Sequence, residues 1–573
     1  MIFRHMTRKH LLLATALTLG LLPMTARAES AYGAYLAAWV ASSSSDYAGS
    51  VDWATRALAG DPANPALLED LVLSNVGVGD LPRAATYAKA LLDSGSKSQT
   101  AVVVQLAESA KTGDFEAILK LGSNGTSAGA VLDTLAKAWA KLGLGRMSDA
   151  LADFDKLSKT KGLEAFGLYH KALALASAGD YEGADNILSG RAAGTLAVNR
   201  RGAVAQIEVL SQLERNADAI AFIDRSFVPG RDLQIDDMRR RLVAGEPLPF
   251  TVAHNATDGI AEVFYTIATA VNNEAVPPYT MLHSRAAAYL RPDNTEAILL
   301  TANLLEKQNQ FDLAVAAYAT IQPSDPAFYI AEIGRADATY AAGRADESLS
   351  ILQALARSHG SQISVQIALA DGLRRAQNFT EAKQAYDSAI AMLPNPARPE
   401  SWPLFYSRGV CLERLGDFAS ADTDLRQALA LNPDEPQVLN YLGYSLVDRG
   451  QKLDEALGMI QRAVAARPDN GAILDSLAWA YFRLGRYEDA LVPMEQASLL
   501  MAVDATVTDH LGDVYWAVGR KREADYQWRR ALSFTPEEKD ATRIRQKLEL
   551  GLDAVLAAEG EPPIKPADVQ NGN

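Results

Sequence analysis

A column of small residues recurs along the chain at a spacing close to 34 residues. In the N-terminal half its steps are 34, 34, 32, 34 and 35 residues, and in the C-terminal half 34, 34, 39, 35, 34 and 34. The column consists of Ser50, Ala84, Ile118, Ala150, Ala184 and Ala219, then Ala314, Ser348, Ala382, Ala421, Ala456, Ala490 and Ala524. A constant period of this length predicts stacked helical hairpins whose core grows by addition along the chain.

Each period has the pattern of two short helices. In the repeat that begins at Gly471, Leu474 and Leu477 lie at helical spacing on one face, and Gly485 ends that helix. Ala490 then starts the facing stripe of a second helix. Small residues at repeat positions 8 and 20 are expected to let the two helices approach closely where they cross.

This period and this unit resemble the tetratricopeptide repeat family. The resemblance implies an all-α fold, a right-handed solenoid of helical hairpins. The register described above contains about fourteen repeats.

One interval breaks the count, because Ala219 and Ala314 are 95 residues apart. A degenerate repeat with Thr280 in the column accounts for part of this interval, and the surplus falls where Pro247 and Pro249 interrupt any helix. We therefore expect an N-terminal array at 31–227, an inserted linker at 228–257, a C-terminal array at 258–536, a capping helix at 537–558 and a disordered tail at 559–573.

Residues 1–28 have the pattern of an export signal. Basic residues begin it, an apolar run of 12 residues follows at 11–22, and Ala26-Arg27-Ala28 predicts cleavage after Ala28. The run is too short for a transmembrane helix, which needs roughly 20 residues. Glu29 stands where a lipoprotein would have its cysteine. We therefore expect a soluble periplasmic protein with no transmembrane segment and no lipid anchor.

Charge and residue usage exclude several function classes. With 70 acidic and 55 basic residues the formal charge is −15, which disfavours nucleic acid as a partner. Cys411 is the single cysteine, lies in a helical segment and is expected to be a small buried apolar residue. No histidines are paired at metal-ligand spacing, so neither a metal site nor a cofactor is predicted.

One short motif suggests an enzyme. Residues 125–129, Gly-Thr-Ser-Ala-Gly, match the G-x-S-x-G nucleophile elbow, which requires a preceding strand. Here helical segments flank the motif on both sides, so we interpret it as an inter-helix loop. Without further catalytic motifs, the sequence predicts a protein that is not an enzyme.

The candidate binding site lies on the first helices of the last repeats. Positions 5, 9 and 12 of these helices are opposite the core positions, and packing is not expected to determine them. They are Asn440, Tyr444, Asp475, Trp479, Phe482, Asp509, Asp513 and Trp516, with Ser476 and His510 adjacent. Aromatic rings beside hydrogen-bonding groups are typical of protein-binding surfaces. The acidic side chains predict a basic or hydrogen-bond-rich partner, and the alternative is that the aromatic rings pack between repeats.

The segments LNYLGYSLVDRG, ILDSLAWAYFRLGRYEDAL and TDHLGDVYWAVGRKREADYQWRRAL carry a narrower resemblance. Over residues 402–536 the chain resembles bacterial envelope tetratricopeptide proteins. The best understood of these are lipoprotein adaptors that present cell-wall hydrolases to carboxy-terminal processing proteases. This resemblance implies a non-catalytic periplasmic scaffold or adaptor whose partners are proteins or peptides, including a periplasmic protease and cell-wall hydrolases. The alternative is a structural component of a polysaccharide-export or outer-membrane assembly complex.

Overall fold

The structure is a computed structural model that describes residues 31–122, 125–191, 199–272, 274–561 and 564. The predicted signal peptide with its cleavage site lies outside these residues, as do residues 562–563 and 565–573 of the predicted tail. The described residues form thirty-one α-helices and one 3-10 turn, and no strand is found among them. The predicted all-α fold is confirmed.

The column of small residues marks where the two helices of each hairpin cross. All of its members, together with Thr280 of the degenerate repeat, are at most 4% exposed. At position 8 of the facing helix the space is equally tight. A Cβ atom added to Gly443 would lie 2.6 Å from the Ile460 side chain, and one added to Gly512 would lie 2.4 Å from the Trp528 ring. Small residues are therefore required for packing, as the sequence predicts.

The described residues fall into two compact units, 31–351 and 352–564. We call the first helix of each hairpin its A helix and the second its B helix. In the first unit, six hairpins are formed by α1 (Ala31–Ser43) with α2 (Tyr47–Leu58), α3 (Pro65–Val78) with α4 (Leu81–Asp93), α5 (Gln99–Thr112) with α6 (Phe115–Lys120), α7 (Ala130–Gly143) with α8 (Met147–Ser158), α9 (Glu164–Ser177) with α10 (Tyr181–Leu188), and α11 (Arg200–Gln212) with α12 (Asn216–Ser226).

The predicted linker contains a further helix, α13 (Leu233–Val243). The rest of the first unit consists of α14 (Ala256–Val271) with α15 (Pro277–Leu290), α16 (Thr295–Lys307) with α17 (Phe311–Tyr318), and α18 (Phe328–Ala341).

The hairpin α14–α15 packs on the A helices of the preceding array. Helix α14 contacts α5, α7 and α9, and α15 contacts α3 and α5. At Gly259 of α14, an added Cβ would lie 2.2 Å from the Trp139 ring of α7. Arg285 of α15 donates a hydrogen bond to the carbonyl of Gly77 at 2.8 Å, and Tyr289 donates to Glu108 at 2.9 Å. The A-helix face of the first unit is therefore part of its core.

Buried polar groups of α11 hold the chain that leads into this hairpin. Gln212 donates to the carbonyl of Leu248 at 2.6 Å. Glu208 accepts from the backbone N–H of Thr251 at 2.8 Å and from its hydroxyl at 2.6 Å. Beyond this segment, Glu262 of α14 accepts from Arg201 at 2.7 Å and from the Tyr169 hydroxyl at 3.0 Å. These bonds satisfy polar groups that would be costly to bury alone.

The boundary between the compact units differs from the one expected between two arrays. It lies between Ile351 and Leu352, and not at the linker of residues 228–257. The reason is that α14 and α15 share one hydrophobic core with the helices before the linker.

The boundary falls within α19 (Ala345–His359). The second unit continues with α20 (Ile363–Arg375) and α21 (Phe379–Ala391), α22 (Trp402–Arg414) and α23 (Phe418–Leu431), α24 (Pro436–Asp448) and α25 (Leu453–Ala466), α26 (Gly471–Arg483) and α27 (Tyr487–Leu500), and α28 (Ala505–Ala517) and α29 (Lys521–Ser533).

The predicted capping helix is two helices, α30 (Glu538–Leu550) and α31 (Leu552–Glu559). Gly551 separates them with a φ of +84°, a conformation that favours glycine. Helix α31 includes Glu559, the residue at which the tail was predicted to begin.

Candidate functional site

The A helices of the second unit place repeat positions 5, 9 and 12 on one face. Contacts between α20 and α22, between α24 and α26, and between α26 and α28 align these positions from repeat to repeat. Of the ten predicted site residues, six are buried: Asp475, Ser476, Trp479, Phe482, His510 and Asp513. The other four, Asn440, Tyr444, Asp509 and Trp516, are half-buried.

Trp479 lies in a stack of rings between two repeats. Its ring is 4.8 Å from that of Phe482 and 4.0 Å from that of His510, and both pairs are nearly parallel. Trp479 is 7% exposed, whereas Leu477, which the sequence places in the core, is only half-buried. The expectation that packing does not determine Trp479 is therefore wrong, and for this residue the alternative of inter-repeat packing is correct.

His510 and Asp475 form a buried pair beside this stack. The Nδ1 atom of His510 is 2.9 Å from Asp475 Oδ1, and both side chains are 9% exposed. Burial opposes the charge on the imidazole, but Asp475, with help from Asp509 and Asp513, outweighs it and raises the pKa of His510. The imidazolium stabilises Asp475, which therefore does not present a free carboxylate to a partner.

The two other acidic residues face a buried lysine of the cap. Lys547 donates to Asp509 at 2.8 Å and to Asp513 at 2.7 Å, and the Trp528 indole donates to Asp513 at 2.9 Å. Arg543 of the same helix lies 3.5 Å from Asp513. Burial raises the pKa of Asp509 even though Lys547 opposes this shift. The predicted acidic lining is therefore neutralised by α30 and is not available to a basic partner.

The C-terminal helices also cover Trp516. Its indole donates to Asp553 at 2.9 Å, and a Cβ added to Gly551 would lie 2.8 Å from its ring. Glu561, just after α31, pairs with Arg483 of α26 at 3.2 Å. The end of the face formed by α26 and α28 is thus occupied by the protein itself.

An aromatic cluster on α22 and α24 is more accessible. Tyr406 lies 5.6 Å from the ring of Tyr441 and 6.2 Å from that of Trp402, and all three side chains are half-buried. The Tyr406 hydroxyl accepts a hydrogen bond of 3.0 Å from the exposed Gln437. We call Trp402, Tyr406, Gln437 and Tyr441 the aromatic cluster. Sequence reasoning missed it, although Tyr406 occupies position 5 of its repeat, the position that selected Asp475 and Asp509.

Polar atoms next to this cluster have no hydrogen-bond partner within the described part of the chain. They are Glu413 Oε2 on α22, Asn440 Oδ1 on α24 and Trp479 Nε1 on α26. Buried polar atoms are normally paired, and one left unpaired costs about 1–3 kcal/mol. Two acceptors and one donor on consecutive A helices can bind the backbone of an extended peptide.

The other sequence motifs have structural roles. The Ser127 hydroxyl donates to Asp133 at 2.6 Å and accepts from the N–H of Gly129 at 3.0 Å, in the loop before α7. The interpretation of this motif as an inter-helix loop is confirmed. Cys411 is fully buried, and burial raises the pKa of its thiol to about 11. Within the described ranges, we find no helix whose length and apolar character would let it cross a bilayer.

A tetratricopeptide repeat family model matches residues 299–362, 367–436, 412–457 and 442–499. The chain is 34% identical over 212 residues to the TPR repeat-containing protein PA4667 of Pseudomonas aeruginosa. This match covers 37% of the chain and 35% of that relative's length.

Solved structures with a similar arrangement have low identity. The Cut9–Hcn1 hetero-tetramer of the APC/C is matched over 95% of this chain and 99% of that one, with 14% identity and a TM-score of 0.39. A tetratricopeptide repeat protein of Parabacteroides merdae is matched over 45% and 98%, with 17% identity and a TM-score of 0.37. The family-model matches, together with the observed hairpins, identify the segments 299–362 and 367–499 as tetratricopeptide repeats.

Proposed function

We propose that this protein is a non-catalytic adaptor in the bacterial periplasm, and that it binds a partner protein on the A-helix face of its second unit. Tetratricopeptide repeats are generally protein-interaction scaffolds. The observation that carries the proposal is the aromatic cluster beside the unpaired Glu413 Oε2 and Asn440 Oδ1.

The position of the binding surface follows from occupancy. In the first unit, α14 and α15 fill the A-helix face, and in the second unit the cap covers α26 and α28. The half-buried rings on α22 and α24 remain accessible. Aromatic side chains that are partly exposed lose little conformational entropy on binding and bury a large area, which makes them frequent binding hot spots.

The narrower resemblance of residues 402–536 supports a specific version of this role. In this version the adaptor holds a carboxy-terminal processing protease and presents cell-wall hydrolases to it. Because Glu29 follows the predicted cleavage site, the adaptor would act without a lipid anchor of its own.

A photo-reactive amino acid at residue 406, expressed in the native bacterium, tests the surface. We expect it to cross-link to a periplasmic protease or a cell-wall hydrolase. The matched control is the same amino acid at Tyr526, another tyrosine, which is 69% exposed on the B helix α29. Cross-links at residue 526 but not at 406 would reject the A-helix face.

A second measurement tests the adaptor role. The half-life of each cross-linked hydrolase is compared in strains that carry the native chain, Tyr406→Ala or Tyr526→Ala. We expect Tyr406→Ala to prolong the half-life, while Tyr526→Ala leaves it unchanged. Cross-links to outer-membrane assembly factors, with unchanged hydrolase half-lives, would favour the structural alternative.

A further inference from the structure

Helix α1 has an exposed apolar face at the start of the first unit. Tyr32, Tyr35, Leu36, Trp39 and Val40 are between 43% and 88% exposed. Their spacing of three and four residues places them on one side of the helix. The opposite side, with Ala34, Ala38 and Ala41, is buried against α2 and α3.

The two ends of the described chain differ in how their outer faces are composed. Helix α30 has the sequence EKDATRIRQKLEL, so the C-terminal end carries many charges. Helix α1, AYGAYLAAWVASS, has no charged residue. Terminal repeats usually require a polar outer face, because an exposed apolar face promotes association.

The face of α1 is complementary to itself. If two copies of α1 pair antiparallel about a two-fold axis through Leu36, Tyr32 of each copy meets Val40 of the other. The same axis places Trp39 opposite Gly33 and Tyr35 opposite Ala37. Large side chains therefore meet small ones at both pairs, and Leu36 meets its own copy.

A depression on the surface fits this arrangement. It lies between α1 and α2 and is lined by Gly33, Ala37 and Trp53. Gly33 is exposed and Ala37 is half-buried, so neither fills the depression. An indole entering there from a second copy would contact the Trp53 ring. Interface cores of homodimers are rich in aromatic residues and poor in charged ones, as this face is.

We propose that α1 binds a second copy of this chain, in an antiparallel pair with two-fold symmetry centred on Leu36. A two-fold interface uses the same patch on both partners, so no other surface of the chain is required. The formal charge of −15 makes association elsewhere on the surface unfavourable, whereas α1 contributes no charge to repel a copy.

Sedimentation equilibrium of the mature chain tests the proposal. We expect twice the monomer mass, and the monomer mass for Leu36→Glu, which brings two carboxylates together on the axis. The matched control, Leu499→Glu, changes a leucine that is 81% exposed on α27 and should leave the dimer intact. Melting temperatures of all three proteins should agree closely, because both leucines are exposed.

A charge-reversal pair tests the symmetry. Leu36→Glu and Leu36→Lys should each be monomeric alone, and an equimolar mixture should restore the doubled mass. In addition, Leu36→Cys should form a covalent dimer on oxidation, since the native Cys411 is fully buried.

Three outcomes would overturn the proposal. The first is a native chain that is monomeric up to its solubility limit. The second is a dimer that persists in Leu36→Glu or that Leu499→Glu abolishes. The third is a monomer that sediments with phosphatidylcholine vesicles and loses this binding in Leu36→Glu, which would assign the face to a membrane surface.

Discussion

The A-helix faces of the two units are built from the same kind of hairpin but have different occupants. In the first unit, α14 and α15 fill the face from α3 to α9 and convert it into core. In the second unit, α30 and α31 cover only the end formed by α26 and α28, and the aromatic cluster on α22 and α24 is accessible. The repeat determines where such a face forms. The chain that follows determines whether the face binds a partner or the protein itself.

The charges on the two faces show the same difference. In the first unit, Glu262 lies between Arg201 and Tyr169 and is 1% exposed. In the second unit, the carboxylates of Asp509 and Asp513 are paired with Lys547, which comes from the cap. Both arrangements join an A helix to an element outside its array, and each should be costly to break.

The largest effect is expected at the filled face. Glu262→Ala leaves Arg201 without its partner in the core, and breaking a buried ion pair in this way costs about 3–5 kcal/mol. Urea denaturation monitored by circular dichroism measures the loss. The control is Asp312→Ala, which removes a carboxylate that is 85% exposed and pairs with Arg344. That change should alter the free energy of unfolding by less than about 1 kcal/mol. Equal effects of the two substitutions would contradict the assignment of α14 to the core.

A loss of similar size is expected for Trp479→Ala in the second unit. Truncating a buried tryptophan costs about 3–5 kcal/mol, and Trp479 stacks on Phe482 and His510. Leu477→Ala should cost less, because Leu477 is only half-buried. This order is the reverse of the one expected from repeat positions. Thermal unfolding of both variants measures it, and a Trp479→Ala protein as stable as the native chain would restore the original site.

The repeat pattern predicts the hairpins well because packing at the helix crossings depends on local side-chain size. Ala490 and Gly512 are required by atoms within their own hairpin, so a sequence period reveals them. The ring stack at Trp479 and the ion pairs of Asp509 and Asp513 depend on later parts of the chain. His510 is 31 residues beyond Trp479, and Lys547 is 38 residues beyond Asp509.

The position of α14 and α15 could not be predicted for the same reason. The sequence identifies this hairpin as a degenerate repeat, and its column residue Thr280 is buried as expected. Its outer face is fixed by contacts such as that of Arg285 with Gly77, which are separated by 208 residues. No periodicity records contacts over such a distance.

A smaller effect is expected from glycines that differ in available space. Gly259→Ala forces a Cβ atom against Trp139 at the filled face, and such overpacking costs about 1–3 kcal/mol. Gly458→Ala in α25 has no neighbouring atom within 4 Å and should stabilise the protein by about 0.5–1 kcal/mol. Denaturant midpoints of the two variants should therefore move in opposite directions. A gain in stability for Gly259→Ala would place α14 away from α7.

The smallest effect concerns two buried histidines, one on each face. His170 of α9 accepts a hydrogen bond of 3.2 Å from the Trp139 indole, and burial lowers its pKa to about 3. His510 of α28 is equally enclosed but faces Asp475, Asp509 and Asp513, so its pKa is raised although burial and Lys547 oppose its charge. The unfolded chain titrates both near pH 6.5.

The signs of the two contributions are therefore opposite. His170, with its lowered pKa, stabilises the fold above about pH 6.5, and this contribution is lost as the pH falls below that value. His510, with its raised pKa, stabilises the fold below about pH 6.5, and this contribution is lost as the pH rises through its folded pKa. Above pH 6.5 the free energy of unfolding should fall with a slope of at most about 1.4 kcal/mol per pH unit from His510. The measurement is the difference in unfolding free energy between the native chain and Asp475→Asn, followed from pH 6 to 9. Because Asp475 is the main cause of the raised pKa, we expect the slope to disappear in Asp475→Asn, and His170→Gln should leave it unchanged. A slope that survives in Asp475→Asn would mean that His510 is neutral in the folded protein and that the cap, not a charged pair, holds the end of this face.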